Sequence, residues 1–295
     1  MRPARHDDFR LPDLRFVSTA AVIPHERHDP QRLEPLVRGF REQAVLRNPP
    51  IVAPLPVVGQ GETASRGFPE TIYMVLDGAN RATAARAAGL PHVVVQVVHY
   101  EAPHVLLGTW HHALSQIDPH DFERACRAVA GLDCHFESIL HARALLARRE
   151  ILAYSAHADG SAITFGGGHT LAEHNRMLNA LVDTYSHRAR FYRTSTESFE
   201  VALDRHPDVT TLVVFPHFQP AEVLELAGSG ARLPAGITRH LIRWRALRIN
   251  VPFEKMADPS LTLEQKDAWL KGWLEERWAR RQVRFYEEST VVFDE

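Results

Sequence analysis

The stretch LDGANRATAARAAGLP (residues 76–91) sets Asp77, Gly78, Ala79, Asn80 and Arg81 between a β-rich run and an alanine-rich helical run. That placement suits phosphate. A helix N-terminus presents unpaired N–H groups and positive partial charge. Gly78 lets the backbone turn tightly or approach a ligand closely. Arg81, on the first helical turn, can grip phosphate oxygens with a two-pronged guanidinium. Asp77 is a poor direct phosphate ligand; it either caps backbone N–H groups or meets a Mg²⁺ ion that bridges nucleotide oxygens. Thr83 lies one turn further on and either reaches the same phosphates or stays on the surface. A second carboxylate, Glu26 in PHERHD, follows the first β-rich run, where a loop can project it into a cleft or leave it solvated.

The flanking segments predict an α/β domain. LRFVSTAAVIP reads as a strand, DPQRLEPLVRGFREQAVL as a helix opened by Asp29-Pro30, and NPPIVAPLPVV and TIYMVLD as strands. After the Ala-rich helix, stopped by Gly89 and Pro91, HVVVQVVHY has too little alternation to be a strand open to water on one face. This β-α-β-β-α-β order leads us to expect a compact unit over residues 1–118. Residues 119–295 then form a second α/β region. Its expected parts are a helical stretch already under way by residue 102, a hairpin around Asp159-Gly160, and an amphipathic helix at TLAEHNRMLNALVD. A strand DVTTLVVF, a helix PAEVLELAG, a strand RALRINVPFE, a long helix from Leu263 to Arg284 and a final strand STVVF complete it.

Composition narrows the function classes. Lys plus Arg (34) nearly balance Asp plus Glu (36), so no global field draws nucleic acid or an anionic membrane. Cys126 and Cys134 match no zinc or redox spacing, and no run is long enough for a membrane helix. A cytoplasmic protein is the expectation. The 18 histidines form no H-E-x-x-H motif, and His169 and His174 are spaced by five, off one helix face. GGG at 166–168 lacks the Lys and Ser/Thr of a phosphate loop and predicts a tight helix entry instead. Trp269, Trp273, Leu274 and Trp278 make a helical stripe, read as a core face or the contact of a homodimer.

Taken whole, VLDGANRATAARAAGLPHVVVQVV resembles the ParB/sulfiredoxin superfamily signature, D-G-x-x-R-x-x-A at a strand-to-helix turn that cradles nucleotide phosphates. The sulfiredoxin branch carries a cysteine in this turn, and here no cysteine precedes Cys126. The chromosome-segregation branch adds a basic helix-turn-helix, which the residues after 100 lack. The free L-serine kinases, including that of staphyloferrin B biosynthesis, resemble this chain further: in IPHE, in GTWHHAL and in LPAGITRHLIRWRALRINVPFEKM. The resemblance implies a ParB/sulfiredoxin-like nucleotide-binding domain, with ATP or ADP as donor, Mg²⁺ as cofactor and L-serine as acceptor. It implies Glu26 as general base and Asp77, Gly78, Ala79, Asn80 and Arg81 on the phosphates. From the residues themselves, Trp110 either walls the serine site or sits in the core, with the neighbouring His111 and His112 suggesting a wet edge; Arg32 and Asn48 flank the first helix and either line the pocket or stay solvated. One departure stands out: the family's turn usually has His before the Arg, where this chain has the neutral Asn80. A non-catalytic nucleotide-binding regulator is the alternative, needing the Arg81 turn without Glu26.

Overall fold

The computed structural model describes residues 11–27, 37–38, 45–55 and 71–286. In chain order the strands and helices begin with β1 (Asp13–Ser18), β2 (Val22–Pro24), β3 (Val45–Leu46), β4 (Ile51–Pro54), β5 (Tyr73–Asp77), α1 (Ala79–Ala87) and β6 (His92–Val97). Next come β7 (Val105–Thr109), β8 (His111–Ser115), α2 (Pro119–Arg127), β9 (Asp133–Ser138), α3 (Ile139–Ala147), β10 (Ala153–Ala156) and β11 (Ser161–Gly166). Then follow α4 (Leu171–Asp183), β12 (Arg190–Thr194), α5 (Phe199–Arg205), β13 (Val209–Val214), α6 (Pro220–Gly228) and β14 (Thr238–Ile242). The series closes with β15 (Val251–Pro252), α7 (Phe253–Ala257) and α8 (Leu263–Ala279).

Two sheets organise this α/β fold. The first has the order β1-β6-β4-β5-β2, with β2–β5 and β4–β6 parallel. The second has the order β12-β8-β13-β10-β11-β9 and is antiparallel throughout. Alternation along β5 shows how they share a core. Val75 faces a cluster with Ala84, Ala85 and Leu270, whereas Met74 and Leu76 face the cluster that holds Phe122, Leu181 and Phe215. Both faces of the first sheet are thereby buried, the condition anticipated for its β-branched strands. Helices α2, α4 and α6 cover one face of the second sheet, and α3 and α5 the other.

The chain runs between the two regions more than once. Strand β8 lies in the second sheet, and β7 pairs with β14. Ile249, Val251, Met256 and Leu270 return to the core of the first sheet, where Phe16 N donates to Asp267 Oδ1 at 2.6 Å. Trp269, Trp273 and Leu274 pack there too, so that part of the tryptophan stripe is a core face; Trp278 is exposed.

Several local expectations change. Residues 105–115, read as the start of a helical stretch, form β7 and β8, because β14, β12 and β13 offer long-range partners that outweigh local propensity. Val45–Leu46, expected in the first helix, is the strand that pairs with β15; of that helix only residues 37–38 are described, and they are helical. RALRINVPFE is extended only at Val251–Pro252. The expected strand STVVF lies outside the described residues. The 159–160 hairpin forms as anticipated, and the glycine triplet leads into α4, where Thr170 and Glu173 make a capping box.

Candidate functional site

Parallel pairing sets the site. Pro24 of β2 lies level with Val75 of β5. The next residues outward, His25-Glu26 and Leu76-Asp77, therefore leave the carboxyl ends of adjacent parallel strands. That is where open α/β sheets place ligands. A hydrogen bond from His25 Nδ1 to the Val75 carbonyl pins the two ends together.

On the β5 side, Gly78 is the N-cap of α1 in the left-handed conformation (φ 84°), with no side chain capping the helix. Asp77 is thus not the cap, contrary to one of its two expected roles: the left-handed glycine carries the carboxylate past the helix start. Its Oδ2 instead takes an ion pair from Arg81 at 3.1 Å and another from Arg245. Arg81 also donates to the Asn48 carbonyl at 3.0 Å. Its guanidinium folds back over Gly78, where a β-carbon would lie 2.8 Å from Nη2. Two guanidinium groups so hold one carboxylate beside a helix N-terminus whose amides no side chain caps. Ala79 and Asn80 open the helix, and Thr83, half-buried, lies in the second turn.

Asn48 belongs to this side. It is buried, and its Oδ1 accepts from Arg248 N at 2.9 Å. Gln96, also buried, holds the neighbouring loop by donating to Trp244 O and accepting from Ala246 N, both at 2.8 Å. Trp244, Arg248 and Asn250 in that loop have positive φ, a costly conformation outside glycine. Arg32 lies outside the described residues.

On the β2 side, Glu26 meets the LPAGITRH segment in a parallel bridge with Leu233. Its Oε1 accepts from Thr238 N at 2.7 Å and from the Thr238 hydroxyl, and its Oε2 accepts from Gly236 N at 2.8 Å. A carboxylate has about four acceptor positions. Three are filled, and the one left open is on Oε2. Thr238 Oγ1 also lies 2.7 Å from His25 Nε2. The Thr238 hydroxyl thereby links the Glu26 carboxylate to the His25 ring.

Trp110 N donates to Ile237 O at 2.9 Å, and Arg239 lies over its indole at 4.5 Å. The tryptophan thus flanks the segment that holds Glu26. His111 and His112 mark no wet edge: both are buried, on a strand enclosed by β12 and β13. His112 donates from Nε2 to Gly236 O at 3.1 Å and accepts at Nδ1 from Tyr185 Oη at 2.7 Å, fixing the tautomer and the turn beneath Glu26. Tyr100 donates to His240 Nε2 at 2.9 Å, and burial together with the charge of Glu26 raises its phenol. Sequence reasoning noted LPAGITRH but gave its residues no role. Gly236 acts through its backbone N–H and Thr238 through its backbone N–H and its hydroxyl, contacts that no spacing pattern signals.

Burial pushes His111 down to about 4, and His112 and His240 to about 3. These rings are neutral in the fold, while the unfolded chain binds protons near the ordinary value of about 6.5. Stability is therefore fully present above pH ~6.5 and lost as pH falls toward 3–4, by up to about 4 kcal/mol per pH unit for the three together. Urea midpoints measured from pH 7 to 4.5 should fall steeply; a flat series would contradict the burial of these rings.

No metal-holding group of three His, Cys, Asp or Glu occurs among the described residues, and none of their helices is long and apolar enough to cross a membrane.

No family model matches the chain. Over 99 residues it is 30% identical to an ATP-dependent L-serine kinase of Staphylothermus marinus, a match spanning about a third of that relative (34% of each chain). SbnI from Staphylococcus aureus, solved with a C-terminal truncation, superposes with a TM-score of 0.68 at 21% identity, covering 90% of this chain and 97% of that one. A free serine kinase in complex with AMP gives 0.68 at 18% identity, covering 84% and 95%. The chain has the fold of these proteins.

Proposed function

We propose that the protein is a free L-serine kinase, transferring a phosphoryl group from ATP or ADP to the serine hydroxyl to give O-phospho-L-serine. One observation carries this reading. A carboxylate with a single open acceptor position and an arginine-flanked helix N-terminus leave adjacent parallel strands. Such an arrangement takes a proton from a hydroxyl and steadies phosphate charge beside it.

In this reading Glu26 Oε2 accepts the serine hydroxyl proton as the oxygen attacks phosphorus, and the charge released leaves on the nucleotide. Arg81 keeps its anchors on Asn48 and Asp77 and offers its remaining N–H groups to the phosphates, together with the Ala79, Asn80 and Arg81 amides. Asn80 adds a neutral donor. Trp110 walls the acceptor site. Asp77 would hold Mg²⁺ through Oδ1, since its ion pairs go to Oδ2. A single carboxylate suffices, because Mg²⁺ draws most of its ligands from phosphate and water. Bound there, the ion neutralises phosphate charge. The nucleotide site is built on the first sheet and α1, with Arg245 added from the returning segment. Both cysteines are free, which fits a cytoplasmic setting.

Incubating the protein with Mg²⁺, L-serine and either ATP or ADP should yield O-phosphoserine by mass spectrometry. Nucleotide binding without product from either donor would overturn the reading and favour a regulator.

A further inference from the structure

Arg193 of β12 stands directly opposite His112 of β8, and opposed residues of an antiparallel pair share a face. His112 reaches the Gly236 carbonyl, so the register aims Arg193 at the same turn. Gly236 has φ 75°, and the Arg193 guanidinium occupies the space that a β-carbon at 236 would need. The N–H of Gly236 meanwhile donates to Glu26 Oε2. A guanidinium and a carboxylate thus flank one glycine, yet no ion pair joins them. Arg193 has no side-chain hydrogen bond or ion pair among the described residues. Its counterpart Arg239 lies over Trp110.

Opposite charges held apart beside an open acceptor position suit a small molecule that carries a hydroxyl for one and a carboxylate for the other. We propose that Arg193 binds the α-carboxylate of the amino-acid acceptor while its hydroxyl meets Glu26 Oε2. The site then selects free hydroxy amino acids over amino alcohols and over serine within a peptide. This inference rests on the kinase reading. Planar guanidinium–carboxylate pairing supplies the discrimination, and lysine reproduces only its charge.

The test measures Arg193→Ala and Arg193→Lys in the full chain, with L-serine as substrate and L-serinamide, which lacks the carboxylate, as alternative acceptor or competitive inhibitor. The alanine variant should raise the serine KM by about 10- to 100-fold, the scale of a hydrogen bond between charged groups, with lysine intermediate. Serinamide, bound weakly by the unaltered protein, should bind the variants equally weakly. An unchanged serine KM would overturn the proposal, as would equal losses for serine and serinamide, which would mark a structural role. Absence of phosphoserine from the unaltered protein would overturn the kinase reading itself. Product from that protein with no serine effect in the variants would overturn Arg193 alone.

Discussion

Glu26→Gln is expected to lower kcat for serine phosphorylation by about 10²- to 10⁴-fold, the range of a lost general base, with nucleotide binding retained. The amide is not silent within the fold. Three donors converge on the carboxylate: Gly236 N, Thr238 N and the Thr238 hydroxyl. With its oxygen turned to Thr238, glutamine presents its NH₂ to the Gly236 N–H, leaving a donor unsatisfied at a cost of about 1–3 kcal/mol. A modest fall in the denaturation midpoint should therefore accompany the kinetic loss. Calorimetric titration of ATP into the variant separates the two effects. Equal collapse of binding and turnover would show that Glu26 only holds the LPAGITRH segment in place.

Replacing Arg81 with alanine should weaken nucleotide binding by about 10- to 100-fold, and with lysine by less. The guanidinium is already immobilised by the Asn48 carbonyl and Asp77, so little side-chain entropy remains to be lost when phosphate arrives. Removing it strips Asp77 of one of two cationic partners, but Arg245 still neutralises the carboxylate. The fold should survive. Nucleotide affinity from calorimetry, set against the serine KM, checks this: loss confined to serine would remove Arg81 from the phosphate site.

The phosphate site around Arg81 was legible as a pattern. Asp77-Gly78 followed by an Ala-rich helix dictates a strand, a left-handed turn and a helix that can lie against a sheet, because glycine takes φ near 84° without strain and small alanine side chains let the helix backbone approach the sheet closely. The buried character of β6 was equally plain from its run of three valines, Val93 to Val95. Residues 105–115 were not, since Val105, Leu106 and Leu107 suit either helix or strand until a partner strand is supplied.

Sequence by itself determined the strand-turn-helix joint, its candidate phosphate residues and the absence of any cysteine that could act in that turn, because these depend on neighbours within a few positions. Only tertiary structure decided what surrounds them. Glu26 and Thr238 are 212 residues apart and hydrogen-bond only because β14 crosses back to β7. Asp77 meets Arg245, 168 positions away, only because Gln96 clamps the returning loop. Hydrogen bonds to backbone amides carry no side-chain signature, and so the residues that aim Glu26 were invisible until the chain had folded around it.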